Sequence, residues 1–393
     1  MKAIRIGLLP RIIIAIILGI TFGQFLPEAL VRIFVTINGL FGEFLSFIIP
    51  LIILALVSVA IAEIGNKAGR ILLITVAIAY GATIVAGFLS YAMGISLFPS
   101  MIEQGALKSI DASSGALAPY FKVSIPPAMG VMTALILAFV LGLGMASIGS
   151  VSLKGACSDF KDIITKTIGA VIIPLLPLYI FGIFLDMTYS GKVFEILSVF
   201  VKIIGLIFLL HIGLLIFQYC IAGLVVKRNP FRLLATMMPA YFTALGTQSS
   251  AATIPVSLEQ SKRNGVADDV AGFVIPLCAT IHLSGSTLKI VACSLALMMM
   301  LGMPIEFGSF SGFILMLGVT MVAAPGVPGG AIMACLGILQ SMLGFDEAAQ
   351  ALMIALYIAM DSFGTACNVT GDGAIALVVN RIMGREPASS AQK

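Results

Sequence analysis

Residues 360–372 read MDSFGTACNVTGD and place two carboxylates and an amide in a stretch that otherwise has the composition of a membrane-spanning helix. Four polar residues recur here at positions i, i+4, i+7 and i+11, which a continuous helix aligns on one face. They are Asp361, Thr365, Asn368 and Asp372. An ionised Asp at the bilayer centre costs about 2.5–3.5 kcal/mol on insertion scales. The spacing therefore predicts that this face looks into protein or a hydrated cavity and receives a positive charge, from a substrate ammonium or a cation.

The composition is that of an integral membrane protein. The 393-residue chain is 60% hydrophobic and 10% charged. Since a soluble domain carries about 25% charged residues, this chain has too few to cover a water-facing surface. We therefore expect an all-α polytopic membrane protein. The net charge of +4 is no argument for nucleic-acid binding, because the Lys and Arg residues lie between apolar runs, where membrane orientation explains them, and we expect no nucleic-acid partner. The six cysteines are scattered singly, without metal-ligand or disulfide spacing.

Six apolar runs in the first part of the chain are long enough to cross a bilayer, which takes about 20 residues. They cover 7–26, 33–62, 71–98, 129–150, 164–187 and 193–226. One basic cluster lies at the start of the first run and others follow the second, fourth and sixth runs, and cytoplasmic connections are rich in Lys and Arg. The clusters are Lys2, Arg5 and Arg11, then Lys67 and Arg70, then Lys154, Lys161 and Lys166, then Lys227 and Arg228. This alternation predicts that the N-terminus is cytoplasmic. We expect the protein to lie in the cell (inner or cytoplasmic) membrane.

Two later segments are apolar but interrupted. The first, 231–262, contains GTQSSAAT and has basic residues at both ends, so both ends face the same side. The second, 309–343, contains VAAPGVPGGA, whose Pro and Gly residues cannot continue a helix. Each predicts a re-entrant helical hairpin, because broken backbone at membrane depth is tolerated only where it is buried or lines a cavity. Full spans at 268–301 and 346–383 bring the expected total to eight transmembrane helices and make the C-terminus cytoplasmic.

The seventh predicted span contains a second set of polar residues in ATIHLSGSTLK. His282, Ser286 and Lys289 lie at i, i+4 and i+7, again on one face of a helix. A Lys at this depth is costly, so we expect it to pair with Asp361 or Asp372. Three roles remain open for Lys289: a structural ion pair, recognition of a substrate side chain, and a proton relay.

Other polar residues have simpler interpretations. Gly285 is expected to let the seventh span unwind. His211, isolated in the sixth span, is expected to be a hydrogen-bonded structural histidine. The serine-rich tip at Ser249 and Ser250 either caps a helix or contributes to a binding site.

Four motifs within 231–383, in the order TQSSAATIPVS, ATIHLSGST, APGVPGG and NVTGD, resemble those of the dicarboxylate/amino acid:cation symporter family, also called sodium:dicarboxylate symporters. The first six spans agree with the family in number and arrangement. The resemblance implies a homotrimer in the lipid bilayer that works as an elevator. Residues 1–228 would form the scaffold, with a part that moves with the transport core of 229–385, and 386–393 would be a tail. It implies no enzyme activity and no organic cofactor.

The resemblance also implies the roles of individual residues. Asp361 matches the aspartate that binds the substrate ammonium, and Asn368 matches the asparagine that meets the substrate backbone. The other expected substrate-binding residues are Ser249, Ser250, Ser286, Lys289, Gly326, Val327, Pro328, Gly329, Gly364 and Thr365, of which 326–329 match the outer gate. Asp372 matches the sodium-site carboxylate. The expected cation site comprises Asp372, Asn368, Thr280 and His282, with Na+ or H+ as the coupling ion and a proton at His282 as one option.

Departures from the family pattern bear on the substrate. The arginine with which members specific for acidic amino acids clamp a carboxylate is here Gly364, and an arginine sometimes found on the first hairpin is Gln248. The family motif NMDGT reads HLSGS, so His282 and Ser284 replace residues that help to hold sodium. At least one sodium site is therefore in question.

We therefore expect a cation-coupled secondary symporter that prefers small neutral amino acids. The main alternative is an acidic amino acid or dicarboxylate symporter that uses Lys289 as a point charge in place of the missing arginine. More remote alternatives are a passive channel and an intramembrane hydrolase that combines Ser249 or Ser250 with His282 and an Asp.

Overall fold

The computed structural model describes residues 8–66, 70–102, 104–105, 117–191, 193–324 and 329–384. Regular structure in these ranges is helical, and no strand occurs in them. The α-helices are α1 (Leu8–Gly23), α2 (Glu28–Asn66), α3 (Arg70–Leu97), α4 (Val131–Ile148), α5 (Val151–Thr167), α6 (Ile173–Tyr189), α7 (Val193–Val226), α8 (Pro230–Thr247), α9 (Ser250–Arg263), α10 (Asp268–Ile281), α11 (Ser284–Leu301), α12 (Phe307–Val322), α13 (Gly330–Leu343), α14 (Glu347–Ala359) and α15 (Asp361–Ile382). Some predicted positions lie outside the described residues: Gly326, Val327, Pro328, the tail 386–393 and the orientation residues Lys2, Arg5 and Lys67.

Five helical stretches of the described chain are long and apolar enough to cross a membrane, or six if the bent pair of α14 and α15 is counted as one. They are Glu28–Ala62, Arg70–Ser100, Val151–Tyr189, Val199–Val226 and Asp268–Leu301, with Glu347–Ala359 and Asp361–Ile382 as the bent pair. Helices α1 and α4 are apolar but have only 16 and 18 residues. At 1.5 Å per residue they reach about 24–27 Å, slightly less than the thickness of a hydrocarbon core. The described helices therefore support a multi-pass membrane protein, whereas the count of eight spans stays a prediction.

One predicted cytoplasmic turn is a helix. The segment around Lys154, Lys161 and Lys166 forms α5, which a π turn at Ile168–Ile172 joins to α6. The fifth apolar run thus belongs to a longer helical stretch than 164–187. Although its lysines suggested a loop, α5 packs against α2 and buries Ile164 while most of its charged residues remain at least partly exposed.

Contacts between helices form two groups. Helices α1, α2, α4, α5 and α6 pack mainly against one another, through the pairs α2/α4, α1/α6, α2/α5 and α2/α6. Helices α3 and α7 pack instead with the later part of the chain, through α3/α11, α3/α12, α7/α15 and α7/α8. Because α3 and α7 pack against α11 and α15, they help to bury the polar residues on those two helices.

Four pairs of short helices occupy the second half of the chain: α8/α9, α10/α11, α12/α13 and α14/α15. Helices α8 and α9 pack against each other across a break at Gln248, whose φ of 53° is left-handed, and α12 packs against α13. These pairs match the positions of the predicted hairpins. The other two breaks lie in the predicted full spans. Helix α10 ends before an extended His282, in the span where unwinding was expected at Gly285, and the α14 axis bends by 62° before α15, in a span predicted to be continuous.

Candidate functional site

Helices α11 and α15 approach very closely at Gly285. A Cβ atom there would lie 2.7 Å from Cβ of Cys367 and 2.9 Å from the carbonyl oxygen of Gly364. The carbonyl of Gly285 accepts a hydrogen bond from Nε2 of His211 at 2.9 Å, in agreement with the structural role expected for that histidine. Gly285 therefore does not mark the point of unwinding, which lies at His282 and Leu283. Its lack of a side chain allows the two helices to meet.

We expect Gly285→Ala to lower the free energy of unfolding by about 1–3 kcal/mol, the usual cost of an extra methyl group in a packed core. Two of the atoms it would strike belong to the α15 backbone or to a Cβ, which cannot swing aside. Thermal unfolding of the purified protein in detergent measures the change. Gly272→Ala in α10 is the matched control, because no heavy atom lies within 4 Å of its Cβ position. Equal melting temperatures for the two variants would contradict the prediction.

Asn368 caps the start of α11. Its Oδ1 accepts hydrogen bonds from the backbone N–H groups of Gly285 (2.8 Å) and Ser286 (3.3 Å), and its Nδ2 donates to Oγ of Ser286 (3.1 Å). The N–H groups of the first helical turn have no partner within their own helix. Asn368, on α15, thus satisfies donors that the break before α11 leaves free, and this stabilises the break.

Asp361 has both carboxylate oxygens occupied. Oδ1 lies 3.0 Å from Nζ of Lys289, and Oδ2 accepts a hydrogen bond of 2.9 Å from the backbone N–H of Gly329. Lys289 is fully buried, and Asp361 is only 6% exposed. The expected ion pair of Lys289 therefore forms with Asp361. The start of α13 is attached to the same carboxylate.

Lys289 has three further contacts around the bend between α14 and α15. Its Nζ lies 3.4 Å from the carbonyl oxygens of both Tyr357 and Met360 and 3.4 Å from the centre of the Tyr357 ring. Carbonyls at the end of a helix carry partial negative charge, and an aromatic face attracts a cation. The bend at Met360 therefore produces a cation-binding environment beside Asp361.

A second acid–base pair lies deeper along α15. Nδ1 of His282 donates to Oδ1 of Asp372 at 2.8 Å, and both side chains are at most 1% exposed. Asp361 and Asp372 are eleven residues apart on one helix, which corresponds to about 16 Å. The two pairs are therefore separate sites.

A small cavity of about 40 Å³ connects several of these residues. It is lined by Gln248, Ser250, Ala279, Thr280, Leu283, Ser286, Ala324, Ala331, Tyr357, Asp361, Thr365 and Asn368. This volume has room for a few water molecules. Entry of an amino acid therefore requires a lining segment to move.

Five of the nine described residues that were expected to bind substrate line this cavity. Ser250, Ser286, Asp361, Thr365 and Asn368 line the cavity, and Gly329 contacts it through Asp361. Gly364 lies against Lys289 instead, and Ser249 acts as the N-cap of α9, where its Oγ accepts the N–H of Ala252 at 3.2 Å.

The predicted cation site is divided. Thr280 lines the cavity and donates to the carbonyl of Leu277, whereas His282 and Asp372 form the deeper pair. The prediction that His282 shares one helical face with Ser286 and Lys289 is wrong, because α10 ends at Ile281 and neither His282 nor Leu283 is helical. Among the described residues, no group of three or more His, Cys, Asp or Glu side chains is arranged to hold a metal ion.

Two residues of the site, Tyr357 and Gln218, were not predicted from the sequence. Tyr357 donates from its hydroxyl to Oγ of Ser286 at 3.1 Å and stacks under Lys289; its position four residues before Asp361 is the signal that was available. Gln218 donates to Oγ of Ser284 at 3.1 Å, next to the His282 pair. Gln218 is a polar residue inside an apolar run, and this pattern indicates a buried residue with a polar partner.

A larger cavity of about 330 Å³ lies elsewhere, among α2, α6 and the start of α14. Its lining includes Glu43, Lys122, Asp186 and Glu347. The smaller cavity is the better candidate site, because it contains the buried carboxylate with a cationic partner and the broken helices.

The sequence was compared with known protein families and proteins. The model of the sodium:dicarboxylate symporter family matches residues 8–382. The chain is 28% identical over 351 residues to the serine/threonine transporter SstT of Streptococcus suis (strain 05ZYH33), covering 84% of this chain and 93% of that protein. It is also 28% identical over 390 residues to the serine/threonine transporter SstT of Acinetobacter baumannii (strain SDF), covering 94% and 95%.

Proposed function

Because the chain belongs to the sodium:dicarboxylate symporter family, we propose that it imports small neutral amino acids together with a coupling cation. The observation that carries this proposal is the buried carboxylate of Asp361 beside a small cavity, with the backbone N–H of Gly329, just before α13, on one of its oxygens. Members of this family are transporters and not enzymes. The cavity of 40 Å³ is consistent with a gate that must open to admit substrate.

In this proposal the substrate is bound at both ends of its backbone. Asp361 receives the ammonium group in a charge-assisted hydrogen bond. The carboxylate lies toward the start of α9 at Ser250, since the free N–H groups at a helix N-terminus bind anions. Asn368 and Thr365 complete the polar lining.

The preference for a small neutral side chain rests on the space beside Gly364. A Cβ atom at this position would lie 2.8 Å from Nζ of Lys289, so the lysine already fills the region that a larger residue would occupy. The names of the two relatives, serine/threonine transporters, agree with this preference. An acidic substrate remains the second candidate, because the Lys289 ammonium lies next to Gly364 and could bind a side-chain carboxylate as a point charge.

The coupling cation, Na+ or H+, is proposed to act at Asp372. This carboxylate is almost completely buried and has the His282 imidazole as its partner. A buried carboxylate needs a positive charge, which either a bound ion or a protonated imidazole supplies. Coupling then equals the linkage free energy between substrate and cation, commonly about 1–3 kcal/mol.

The proposed movement is an elevator within a homotrimer in the cell membrane, with both termini cytoplasmic. The two groups of helix contacts support a division into a scaffold and a mobile core that includes α3 and α7. The pairs α8/α9 and α12/α13 would be the re-entrant hairpins, and closure of the second over the substrate would permit the movement.

Uptake by the purified protein in proteoliposomes tests the proposal. We expect labelled serine to accumulate above its external concentration under an inward sodium or proton gradient, and not when choline replaces sodium at equal pH on both sides. Unlabelled aspartate should compete weakly. Flux without accumulation would indicate a channel. Stronger competition by aspartate than by serine would favour the acidic-substrate alternative.

A hydrolase is a poor fit to the described residues. Nδ1 of His282 is bound to Asp372, and its Nε2 has no hydrogen-bond partner within the described part of the chain. The Ser249 hydroxyl caps α9. A serine nucleophile would need a hydrogen bond to the histidine base. The two groups are therefore not arranged as a triad.

A further inference from the structure

The charge of Asp361 is balanced by groups of the protein itself. One oxygen contacts the Lys289 ammonium, and the other accepts the N–H of Gly329 at the start of α13. The two contacts occupy the carboxylate that the proposed function reserves for a substrate ammonium. An unpaired carboxylate enclosed in protein would be strongly unfavourable. The ammonium of Lys289 thus takes the position that the ammonium of a substrate would need.

Lys289 can release Asp361 without losing all of its own partners. The carbonyls of Tyr357 and Met360 and the ring of Tyr357 lie within 3.4 Å of its Nζ. These groups belong to the end of α14 and the bend, and none of them is needed by the substrate in the proposed function. A substrate ammonium can therefore replace Lys289 on Asp361 while helix-end carbonyls and the aromatic face continue to stabilise the lysine ammonium.

The approach of Lys289 depends on Gly364. A methyl group on residue 364 would lie 2.8 Å from Nζ and 3.0 Å from Cε of the lysine. Any side chain there would move the ammonium away from its present position. The position of the Lys289 side chain, on α11, thus requires a glycine at position 364, on α15.

We propose that Lys289 is a tethered counter-cation, which neutralises Asp361 in the empty carrier and so permits the empty carrier to close and return across the membrane. This inference rests on the proposed symport function. Net uptake requires the empty carrier to return after each delivery. Exchange of internal for external substrate does not, because the carrier is loaded in both directions. Loss of Lys289 therefore slows net uptake specifically.

The test compares these two modes for Lys289→Met in proteoliposomes under identical cation conditions. Net uptake is measured into vesicles without internal serine, and exchange into vesicles preloaded with unlabelled serine. We expect the ratio of net uptake to exchange to fall about 10-fold or more, which corresponds to about 1.4 kcal/mol on the return step. Binding of serine should become tighter, because its competitor for Asp361 is gone.

Gly364→Ala is the second variant, since it displaces the ammonium while keeping the lysine. It should lower the same ratio. Lys262→Met is the control, because Lys262 pairs with Asp268 outside the candidate site and the Asp268 side chain is 76% exposed. Thermal unfolding shows which variants are folded.

A purely structural or substrate-binding role for Lys289 would reduce net uptake and exchange in parallel. An unchanged ratio in either folded variant therefore overturns the inference, as does weaker binding of serine to Lys289→Met. The proposed function fails separately, if wild-type protein accumulates no amino acid under either gradient.

Discussion

Asp361→Asn is expected to lower the affinity for a neutral amino acid about 100-fold or more and to abolish measurable uptake. Removing one partner from a buried charge pair costs about 3–5 kcal/mol, and each 1.4 kcal/mol is a factor of ten. The amide has nearly the same shape as the carboxylate but cannot neutralise an ammonium. Equilibrium binding of labelled serine to the purified protein, together with proteoliposome uptake, measures the effect.

Two comparisons separate loss of the ammonium site from general damage. Asp268→Asn is the matched control, since this side chain is 76% exposed and pairs only with Lys262 at 2.9 Å among the described salt bridges. Asp361→Asn also leaves Lys289 without its anionic partner, so the double variant with Lys289→Met removes the stranded charge. If the double variant binds serine as wild type does, Asp361 is not the ammonium site. Unimpaired uptake by Asp361→Asn alone leads to the same conclusion.

Asp372→Asn is expected to uncouple uptake from the cation gradient. The carboxylate of Asp372 is 1% exposed, and its described partner is an imidazole at 2.8 Å. Without the negative charge, neither a bound cation nor a protonated His282 is stabilised, so the affinity for the coupling ion should fall about 100-fold. Accumulation of serine should then approach the external concentration, whichever gradient is applied.

His282→Asn distinguishes the two possible ions. The resemblance places an asparagine of a sodium site at this position, and its amide oxygen can bind a cation that an imidazole N–H cannot. We expect serine uptake by this variant to depend more strongly on sodium than uptake by wild type does. Parallel uptake measurements with sodium and proton gradients will show this.

Full accumulation of serine by Asp372→Asn, with unchanged dependence on either ion, would remove Asp372 from the coupling mechanism.

The membrane character and the main polar residues of this protein were predictable from local sequence. Hydrophobic transfer energy is roughly additive along a segment, so 60% apolar residues with 10% charge already indicate a multi-pass protein. The breaks near Gln248 and before Gly330 were predictable because Gly, Pro and Ser residues are concentrated there. Asp361 and Lys289 stood out because charge inside an apolar run is costly enough to require a partner.

The breaks at His282 and Met360 had weaker local signals. Only Gly285, three residues after His282, indicated unwinding in the seventh span, and the polar spacing favoured continuous helices at both positions. Both breaks involve contacts with side chains from distant parts of the chain: Asn368 satisfies the first N–H groups of α11, and Lys289 contacts the carbonyls at the end of α14. Without these partners, unpaired backbone groups would make each break unfavourable.

Which positive group meets which carboxylate was also a matter of three-dimensional packing. Spacing along the chain allowed Lys289 to pair with either Asp361 or Asp372, and it placed His282 on the same face. The break at His282 and Leu283 places the imidazole against Asp372, and the absence of a side chain at Gly364 allows the lysine to reach Asp361. The sequence alone thus indicated that the buried charges need partners, because a charged residue inside an apolar run loses its hydration when that run is buried. The tertiary structure determined which groups pair, because an ion pair needs atoms about 3 Å apart, and only packed helices bring them to that distance.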